Sequence, residues 1–342
     1  MRLGLLGLGR IGAFHAETLT RLPAVEELMV SDPAPSLTRE IAERSGAKAA
    51  ASPEEVFASG VDGVVIAAAT EAHPELILRC VAAGLPVFCE KPVARSAANA
   101  ARLAREVAGR GVEIQIGYPR RFDPAFAAAR AAVAGGDLGW VHTVRSTTLD
   151  PAPPPQAYIA ASGGIFRDCS VHDFDAVRWV TGQEVTEVYA AGANLGAEWF
   201  GELGDADTAS AILTLADGAL AVVSNARYNA SGYDVRLEVH GSKDSIAAGL
   251  GPRLPLRSAE PEVSFPDGKP YTFFMDGSPR PSGPSCRPLP RSWPAGGPRR
   301  ARSRTPWRPA GSPRPVRCRV SRGGRSGFPR CACSGQGARS AW

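Results

Sequence analysis

Short apolar segments alternate with longer amphipathic segments over residues 1–118. The longer segments carry apolar side chains at the i, i+3, i+4 spacing of a helix, and strands that alternate with helices in this way are typical of parallel βαβ units. The predicted strands are Leu3–Leu6, Leu28–Ser31, Gly63–Ala68, Pro86–Cys89 and Glu113–Ile116, and the predicted helices are Ile11–Leu22, Leu37–Arg44, Pro74–Ala83 and Ala97–Ala108. We therefore predict a doubly wound parallel sheet in this part of the chain.

The pattern changes after Gly117, where apolar and polar side chains begin to alternate with a period of two. The strands predicted from this alternation include Val141–Thr147, Ala209–Leu215, Leu220–Asn225 and Val235–His240. The Asp217-Gly218 pair separates two of them and is typical of a hairpin turn, whereas Pro151–Pro155 predicts a loop. Residues 119–276 are therefore predicted to form an α+β domain with a large, mostly antiparallel sheet that leaves one face open.

The composition changes sharply after Asp276. Residues 277–342, called the tail below, contain 15 Arg, 12 Pro, 10 Gly and 10 Ser but no Lys, Asp or Glu. The tail thus carries a charge of +15, which leaves 24 Lys+Arg against 34 Asp+Glu, or −10, for residues 1–276. The overall charge of +5 is therefore positive only because of the tail.

Two interpretations of the tail are open. Arg, Pro, Gly and Ser without acidic residues are what GC-rich DNA encodes when it is read out of register, and the shifted frame permits two amphipathic helices, from Pro281 and from Thr305. We therefore predict a frameshift near Asp276 that produces a disordered, out-of-frame tail. The alternative is a genuine disordered basic tail that binds nucleic acid or another polyanion.

The acidic body argues against nucleic acid as its main partner and favours an enzyme that acts on a small molecule. Its cysteines, Cys80, Cys89 and Cys169, match neither a zinc site nor an even disulfide framework, so we expect reduced thiols and no metal. The first predicted strand begins almost at Met1, and no apolar run is long enough to span a membrane. A cytoplasmic protein without a membrane partner is therefore expected.

A candidate cofactor site lies in the segment Gly7–Gly12, which has the pattern GxGxxG directly after the first strand and at the start of a helix. Glycines in this context allow a tight turn and let the helix N-terminus approach a pyrophosphate. Asp32 ends the second predicted strand about twenty residues later, where a carboxylate can accept both ribose hydroxyls. It would repel a 2′-phosphate, so the pattern predicts a Rossmann domain that binds NAD rather than NADP. The alternative is a simple glycine turn beside a surface aspartate.

Two segments carry candidate catalytic residues. Glu90 and Lys91 follow the predicted strand Pro86–Cys89, at the edge where open α/β sheets bind ligands. A lysine in such a crevice can hold a substrate hydroxyl through a charged hydrogen bond, although a lone lysine in a loop is more often solvated.

The second segment contains Asp168, His172 and Asp175, which share one face if residues 168–175 form a single helix. A carboxylate one turn from an imidazole can fix its tautomer and stabilise its protonated form, as a general base requires. The alternative is a structural Asp–His pair that caps a local turn.

These motifs together resemble the glucose–fructose oxidoreductase/inositol dehydrogenase/MocA family. The resemblance spans residues 1–276, and within the family the chain is most similar to the inositol dehydrogenases. It rests on four ordered motifs: the GxGxxG with His15, Glu90-Lys91-Pro92, Gly117–Asp123 and Asp168-x-x-x-His172-Asp173-x-Asp175.

The resemblance implies an NAD-dependent dehydrogenase that oxidises a ring hydroxyl of myo-inositol or a related polyol and yields the 2-keto product. Lys91, Asp168 and His172 would be the catalytic residues, with His172 as the general base and Asp168 orienting it. The implied cofactor-binding residues are Gly7, Gly9, Arg10, Ile11, Gly12, Asp32, Thr70, His73, Glu90 and Lys91. The implied substrate-binding residues are Lys91, Arg120, Asp168, His172, Asp175 and Tyr233.

Several functional alternatives are open. His73 is equally well interpreted as an N-terminal helix residue, and Pro119 stands where relatives often carry a larger apolar residue, which leaves the polyol preference open. Other candidates are a dehydrogenase of another sugar or sugar acid, a cofactor-binding sensor without catalysis, and a chain made inactive by its altered C-terminus. Family members usually associate through the open face of the second-domain sheet, so a homo-oligomer is implied if the C-terminus is intact.

Overall fold

The computed structural model describes residues 1–249 together with two strands of the tail, Arg317–Ser321 and Arg330–Ser334. The described part of the chain forms two compact units, which succeed one another between Gly117 and Tyr118. Among the described residues the longest helices have 12 residues, and none is long and apolar enough to cross a bilayer.

The first unit is built on a six-stranded parallel sheet with the order β3-β2-β1-β4-β5-β6, which confirms the predicted doubly wound fold. Its strands are β1 (Arg2–Leu6), β2 (Glu27–Ser31), β3 (Lys48–Ala49), β4 (Gly63–Ile66), β5 (Val87–Glu90) and β6 (Ile114–Gly117). Its helices are α1 (Arg10–Leu19), α2 (Pro35–Ser45), α3 (Pro53–Ala58), α4 (His73–Ala82) and α5 (Ala97–Val107). Strand β3 and helix α3 were not predicted, because a two-residue exposed strand and a six-residue helix carry too few apolar positions to show a period.

Successive residues of the central strands pack on opposite sides of this sheet. Leu5 and Val65 belong to one buried apolar cluster, whereas Leu6 and Ile66 belong to another. Both faces of the sheet are therefore covered, as a parallel sheet requires, and the carboxyl ends of its strands are left as the edge where loops can form a site.

The second unit is built on an eight-stranded sheet with the order β12-β11-β7-β10-β9-β8-β14-β13. Among the strands that the structure describes, only β7 and β10 pair in parallel, so the sheet is mostly antiparallel, as predicted. Its strands are β7 (Val141–Leu149), β8 (Val185–Ala193), β9 (Thr208–Leu215), β10 (Leu220–Ala226), β11 (Asp234–Gly241), β12 (Ser245–Ala248), β13 (Arg317–Ser321) and β14 (Arg330–Ser334). Its helices are a 3₁₀ turn (Pro119–Phe122), α6 (Pro124–Gly135), α7 (Gln156–Ser162), α8 (Ile165–Asp168), α9 (Ser170–Thr181) and α10 (Trp199–Glu202).

Helices α6 and α9 cover one face of this sheet. Phe126 of α6 and Val177 of α9 pack in one buried cluster with strand residues such as Val144 and Val223. The predicted hairpin at Asp217-Gly218 is confirmed, since β9 and β10 pair in register on either side of it and Gly218 has a φ of 90°.

The tail prediction lies largely outside the described residues. The structure describes only β13 and β14 of the tail, which pair with each other, and β14 also pairs with β8. The frameshift near Asp276 therefore stays a prediction.

Candidate active site

The space around Gly7, Gly9 and Gly12 in the turn of the first unit shows why each position needs a glycine. A Cβ on Gly7, which has a φ of 90°, would lie 2.3 Å from Cα of Ala68, and a Cβ on Gly12 would lie 2.0 Å from the carbonyl oxygen of Gly7. Gly9, at the N-cap of α1, has no atom within 4 Å of the corresponding position. Two glycines thus permit close packing, and the third leaves open space at the helix N-terminus that a pyrophosphate fits.

Asp32 stands directly beside this turn. Its Oδ2 accepts a hydrogen bond from the backbone N–H of Leu8 at 2.8 Å, and its Oδ1 accepts one from Ala34 at 2.9 Å. Each carboxylate oxygen has a second acceptor position, so both ribose hydroxyls could still be bound. The residues of the turn therefore fit an NAD molecule.

Glu90 and Lys91 lie at the carboxyl end of β5, as predicted. Oε1 of Glu90 lies 2.7 Å from Nε2 of His15 on α1, and the His15 ring makes an edge contact with Phe88. This hydrogen-bond contact links the helix that starts at the glycine turn to the strand end that carries Lys91. The sequence motif contained both residues but gave no sign that they pair.

His73 is 1% exposed and contacts two loops of the same edge. Its Nδ1 lies 2.8 Å from the carbonyl oxygen of Pro92, and its Nε2 lies 2.9 Å from that of Ala68. Its backbone N–H donates to Thr70 at 3.3 Å. The loops that follow β4 and β5 are therefore held together by this imidazole, and a direct cofactor contact by His73 or Thr70 stays a prediction.

The single helix predicted over residues 168–175 is wrong. Helix α8 ends at Asp168, α9 begins at Ser170, and Cys169 lies between them with φ −100° and ψ −62°. Asp168 and His172 thus lie on different helices, and the four-residue spacing does not by itself place them on one face. Burial raises the pKa of the Cys169 thiol, so this residue is a protonated packing group rather than a nucleophile.

Side chains from distant segments hold the carboxylate of Asp168. Its Oδ1 accepts a hydrogen bond from the hydroxyl of Tyr158 at 2.8 Å, and its Oδ2 accepts one from Nη2 of Arg227 at 2.8 Å. Nη1 of Arg227 donates to Oδ2 of Asp150 at 3.0 Å. Sequence reasoning missed Arg227 and Asp150, because neither belongs to a recognisable motif.

Asp173 is the centre of a buried polar network, although it was not assigned a role from the sequence. Its Oδ1 lies 2.6 Å from Nη1 of Arg120, and Arg120 is also bonded to Thr148. Ser146 donates to Asp173 at 2.5 Å and Thr148 at 2.9 Å. Asn225 adds a bond from its amide at 2.8 Å. The carboxylate of Asp173 thus has both a charged partner and several hydrogen-bond donors, as a buried charge requires.

Arg120 and Asp175 are committed to ion pairs. Burial alone would lower the pKa of Arg120, but the charge and hydrogen bond of Asp173 raise it above its ordinary value, so the guanidinium remains charged. Asp175 receives two hydrogen bonds from Arg121, from Nε at 2.8 Å and from Nη2 at 2.5 Å. A polyol-binding role for Arg120 or Asp175 stays a prediction.

Tyr233 lies in the neighbourhood of the same charges. Burial and the nearby Asp150 carboxylate raise the pKa of its phenol, and Arg120 opposes that shift. The hydroxyl is therefore protonated at neutral pH and can donate a hydrogen bond. The second unit thus brings Arg120, Asp168 and Tyr233 into one charged neighbourhood, whereas the first unit groups Asp32 with the glycine turn and His73 with the loop of Lys91.

Two family descriptions match the chain. "Oxidoreductase family, NAD-binding Rossmann fold" matches residues 1–118, and "GFO/IDH/MocA C-terminal domain" matches residues 126–247. The chain belongs to the GFO/IDH/MocA oxidoreductase family. This membership confirms the resemblance drawn from the motifs and the predicted enzyme class, a dehydrogenase of CH–OH groups that uses a nicotinamide cofactor.

Three relatives illustrate the family. Myo-inositol 2-dehydrogenase of Thermotoga maritima is 43% identical over 72% of this chain and 75% of its own length. Inositol 2-dehydrogenase of Rhizobium meliloti is 40% identical over 72% of this chain and 75% of its own length. The structure of scyllo-inositol dehydrogenase from Lactobacillus casei with NAD(H) and scyllo-inositol aligns with a TM-score of 0.71 and 26% identity, over 81% of this chain and 84% of that chain.

The described residues contain no group of three His, Cys, Asp or Glu side chains placed to hold a metal ion. The buried thiols of the first unit are protonated at neutral pH and are therefore poor nucleophiles. Burial raises the pKa of Cys80 to about 12 and raises that of Cys89 further.

Proposed function

We propose that this GFO/IDH/MocA member oxidises a secondary ring hydroxyl of a cyclic polyol with NAD, and that myo-inositol is the substrate and its 2-keto derivative the product. One observation carries the proposal: the chain contains Lys91, Asp168 and His172 and is 43% identical to a myo-inositol 2-dehydrogenase. A sensor that only binds the cofactor has no need of all three residues.

The proposed reaction converts the alcohol and NAD⁺ into the ketone, NADH and a proton. NAD, when bound, supplies the hydride acceptor. His172 accepts the hydroxyl proton as general base, and Asp168 orients the imidazole and stabilises its charged form. Lys91 stabilises the negative charge that develops on the substrate oxygen, and Tyr233 donates a hydrogen bond to the polyol.

We propose NAD rather than NADP as the cofactor, on the strength of the Asp32 carboxylate beside the glycine turn. A 2′-phosphate would meet this negative charge, and Pro33, Ala34 and Pro35 offer no cation to neutralise it. Asp32→Ala should weaken NAD binding about 10- to 100-fold, the equivalent of a charged hydrogen bond of about 1.5–3 kcal/mol. Quenching of protein fluorescence by each cofactor measures both affinities, and a variant that keeps its preference for NAD would contradict the assignment.

We also propose that, in a chain with an intact C-terminus, a second copy covers the open face of the second-unit sheet. Tyr189, Ile212 and Val222 are register neighbours on β8, β9 and β10, and they are 41%, 46% and 39% exposed. An apolar row of this kind is typical of a contact surface. Sedimentation of the full chain and of its Ile212→Glu variant tests this proposal. The wild-type chain should sediment as an oligomer and the variant as a monomer, and a monomeric wild-type chain would contradict the proposal.

A substrate panel with the purified full chain tests the reaction. We expect NADH formation with myo-inositol and much slower turnover of pyranoses and sugar acids. Turnover of a pyranose without turnover of inositol would favour the alternative, a dehydrogenase of another sugar or sugar acid. Sequencing of the gene across codons 270–290 should precede the assay, because an inactive chain with a confirmed frameshift would indicate a damaged enzyme rather than a different activity.

A further inference from the structure

Arg227 lies where two neighbouring strands of the second unit end together. Strand β7 ends at Leu149 and β10 ends at Ala226, and these two residues are partners in the parallel register. The next residue of β7 is tied to this end of β10, since the N–H of Asp150 donates to the carbonyl oxygen of Ala226 at 2.9 Å. Asp150 and Arg227 therefore leave the sheet side by side, and Nη1 of Arg227 donates to the Asp150 carboxylate.

The other end of the guanidinium reaches Asp168. The Arg227 side chain is 3% exposed and the Asp168 side chain 10% exposed, and Nη2 lies 2.8 Å from Oδ2 of Asp168. Charged hydrogen bonds that are shielded from water in this way are strong and directional. Burial by itself lowers the pKa of Arg227, but the carboxylates of Asp168 and Asp150 raise it above its ordinary value, so the residue is a permanent cation.

The Asp168 carboxylate is held mainly by side chains from other segments rather than by its own short helix. Asp168 is the last residue of the four-residue helix α8, directly before the break at Cys169. Its carboxylate is instead held from outside that helix, by Arg227 from the end of β10 and by Tyr158 of α7. Of these two anchors Arg227 carries the charge and is almost completely buried.

We propose that Arg227 is a positioning residue for the dehydrogenase reaction: it holds the Asp168 carboxylate in the orientation that supports His172, and Asp150 holds Arg227 in place. This inference rests on the proposed function, in which Asp168 orients the general base. Arg227 itself touches neither substrate nor cofactor in this assignment.

Steady-state kinetics of the full chain test the proposal. Arg227→Ala should lower kcat about 100-fold, the effect of a displacement of roughly 1 Å at a catalytic group, and should leave the KM for NAD unchanged. Added guanidinium ion at a non-denaturing concentration should restore part of the lost kcat, because it can occupy the space of the missing side chain between the two carboxylates. Arg227→Lys should retain more activity than Arg227→Ala, since a cation remains, but less than the wild type, since an ammonium cannot reproduce the planar fork.

Matched variants separate positioning from general loss of structure. Arg178→Ala removes another arginine of the same unit, whose partner is the surface residue Glu184, and it should change neither kcat nor the response to guanidinium. Asp150→Asn should lower kcat less than Arg227→Ala does, and the double variant should be no worse than Arg227→Ala alone. Loss of kcat in Arg227→Ala without rescue by guanidinium, or an additive double variant, would overturn the proposal.

A second measurement decides the matter even if the wild-type chain oxidises no polyol or sugar. In ¹³C-histidine spectra the His172 signal is the one absent from His172→Ala. Asp168→Asn and Arg227→Ala should both lower the midpoint of its titration, because each takes a well-placed carboxylate away from the imidazole. If Arg227 acted on His172 only through its positive charge, its removal would instead raise the midpoint of the His172 titration. A raised or unchanged midpoint in Arg227→Ala, or no effect of Asp168→Asn, would refute the positioning role irrespective of the substrate.

Discussion

The two units of this GFO/IDH/MocA member prepare their candidate sites by different physical means. In the first unit the cofactor turn depends on the absence of side chains, since Gly7 and Gly12 leave no room for a Cβ and Gly9 leaves open space. In the second unit the site depends on buried charges, and Arg120 and Asp173 are 7% and 0% exposed. Backbone amides present a fixed dipole to a phosphate at little cost, whereas a buried charge is stable only while its partner is present. The first site should therefore be sensitive to added volume, and the second to changed charge.

The largest expected effect is on chemistry and belongs to the second unit alone. His172→Ala should lower kcat by about 10²–10⁴-fold, the range that proton transfer by a positioned side chain contributes. NAD affinity should stay within about twofold of the wild type, because the residues that fit NAD lie in the glycine turn of the first unit. The rate of NADH formation measures kcat, and fluorescence titration with NAD measures the cofactor affinity separately.

A variant that retained turnover would show that His172 is not the base. A variant that lost NAD binding as strongly as turnover would break the comparison between the units, since it would mean that second-unit chemistry and cofactor affinity are not separable.

The next effect concerns stability. Arg120→Met removes the cation that lies 2.6 Å from Asp173 and leaves a fully buried carboxylate without its charged partner. Breaking a buried ion pair in this way costs about 3–5 kcal/mol. Urea unfolding, followed by the near-ultraviolet signal, should show the loss in the free energy of unfolding.

The double variant Arg120→Met/Asp173→Asn gives the control. A neutral amide at position 173 removes the stranded charge and can keep hydrogen bonds to Ser146 and Thr148, so the double variant should be more stable than Arg120→Met alone. Equal or lower stability of the double variant would mean that lost packing rather than a stranded charge causes the effect.

The difference between the two units also explains what could be predicted from the sequence. The glycine turn and Asp32 are recognisable because the spacing of a strand, a turn and a helix is local. The partners of the buried charges are not, since Arg120 meets Asp173 across 53 positions and Arg227 meets Asp168 across 59. Tertiary pairing of this kind leaves no periodic trace in the chain.

The break at Cys169 shows a second limit. The residues from 165 to 175 fit one helical period, and only the conformation of a single residue divides them into α8 and α9. Side-chain periodicity reports which face of an element is apolar, but it does not report where one helix ends and the next begins. The fold class and the motif residues were therefore predictable, and the geometry that joins them was not.

An intermediate effect tests the first unit. Gly9→Ala should leave stability unchanged, since its Cβ enters open space, but it should weaken NAD binding by about tenfold, or 1.4 kcal/mol, because the methyl group occupies the approach of the pyrophosphate. Gly7→Ala should instead destabilise the protein by about 1–3 kcal/mol, since a residue with a side chain is strained at positive φ and meets Ala68. Thermal unfolding and NAD titration of both variants distinguish the role of Gly9 in NAD binding from the role of Gly7 in stability. Identical behaviour of the two variants would contradict this assignment.

The smallest expected effect is at an ion pair on the surface, which differs from the pair of Arg120 and Asp173 in its exposure. Arg178 donates to Glu184 from Nε at 3.0 Å and from Nη2 at 2.8 Å, and the two side chains are 27% and 50% exposed. Water and salt screen such a pair, so Arg178→Gln should cost only about 0.2–1 kcal/mol in the free energy of unfolding. The same urea experiment in low and high salt measures the difference. If this variant cost as much as Arg120→Met, burial would not be what makes the charges of the second unit indispensable, and the contrast between the two units would have to rest on the network around Asp173 instead.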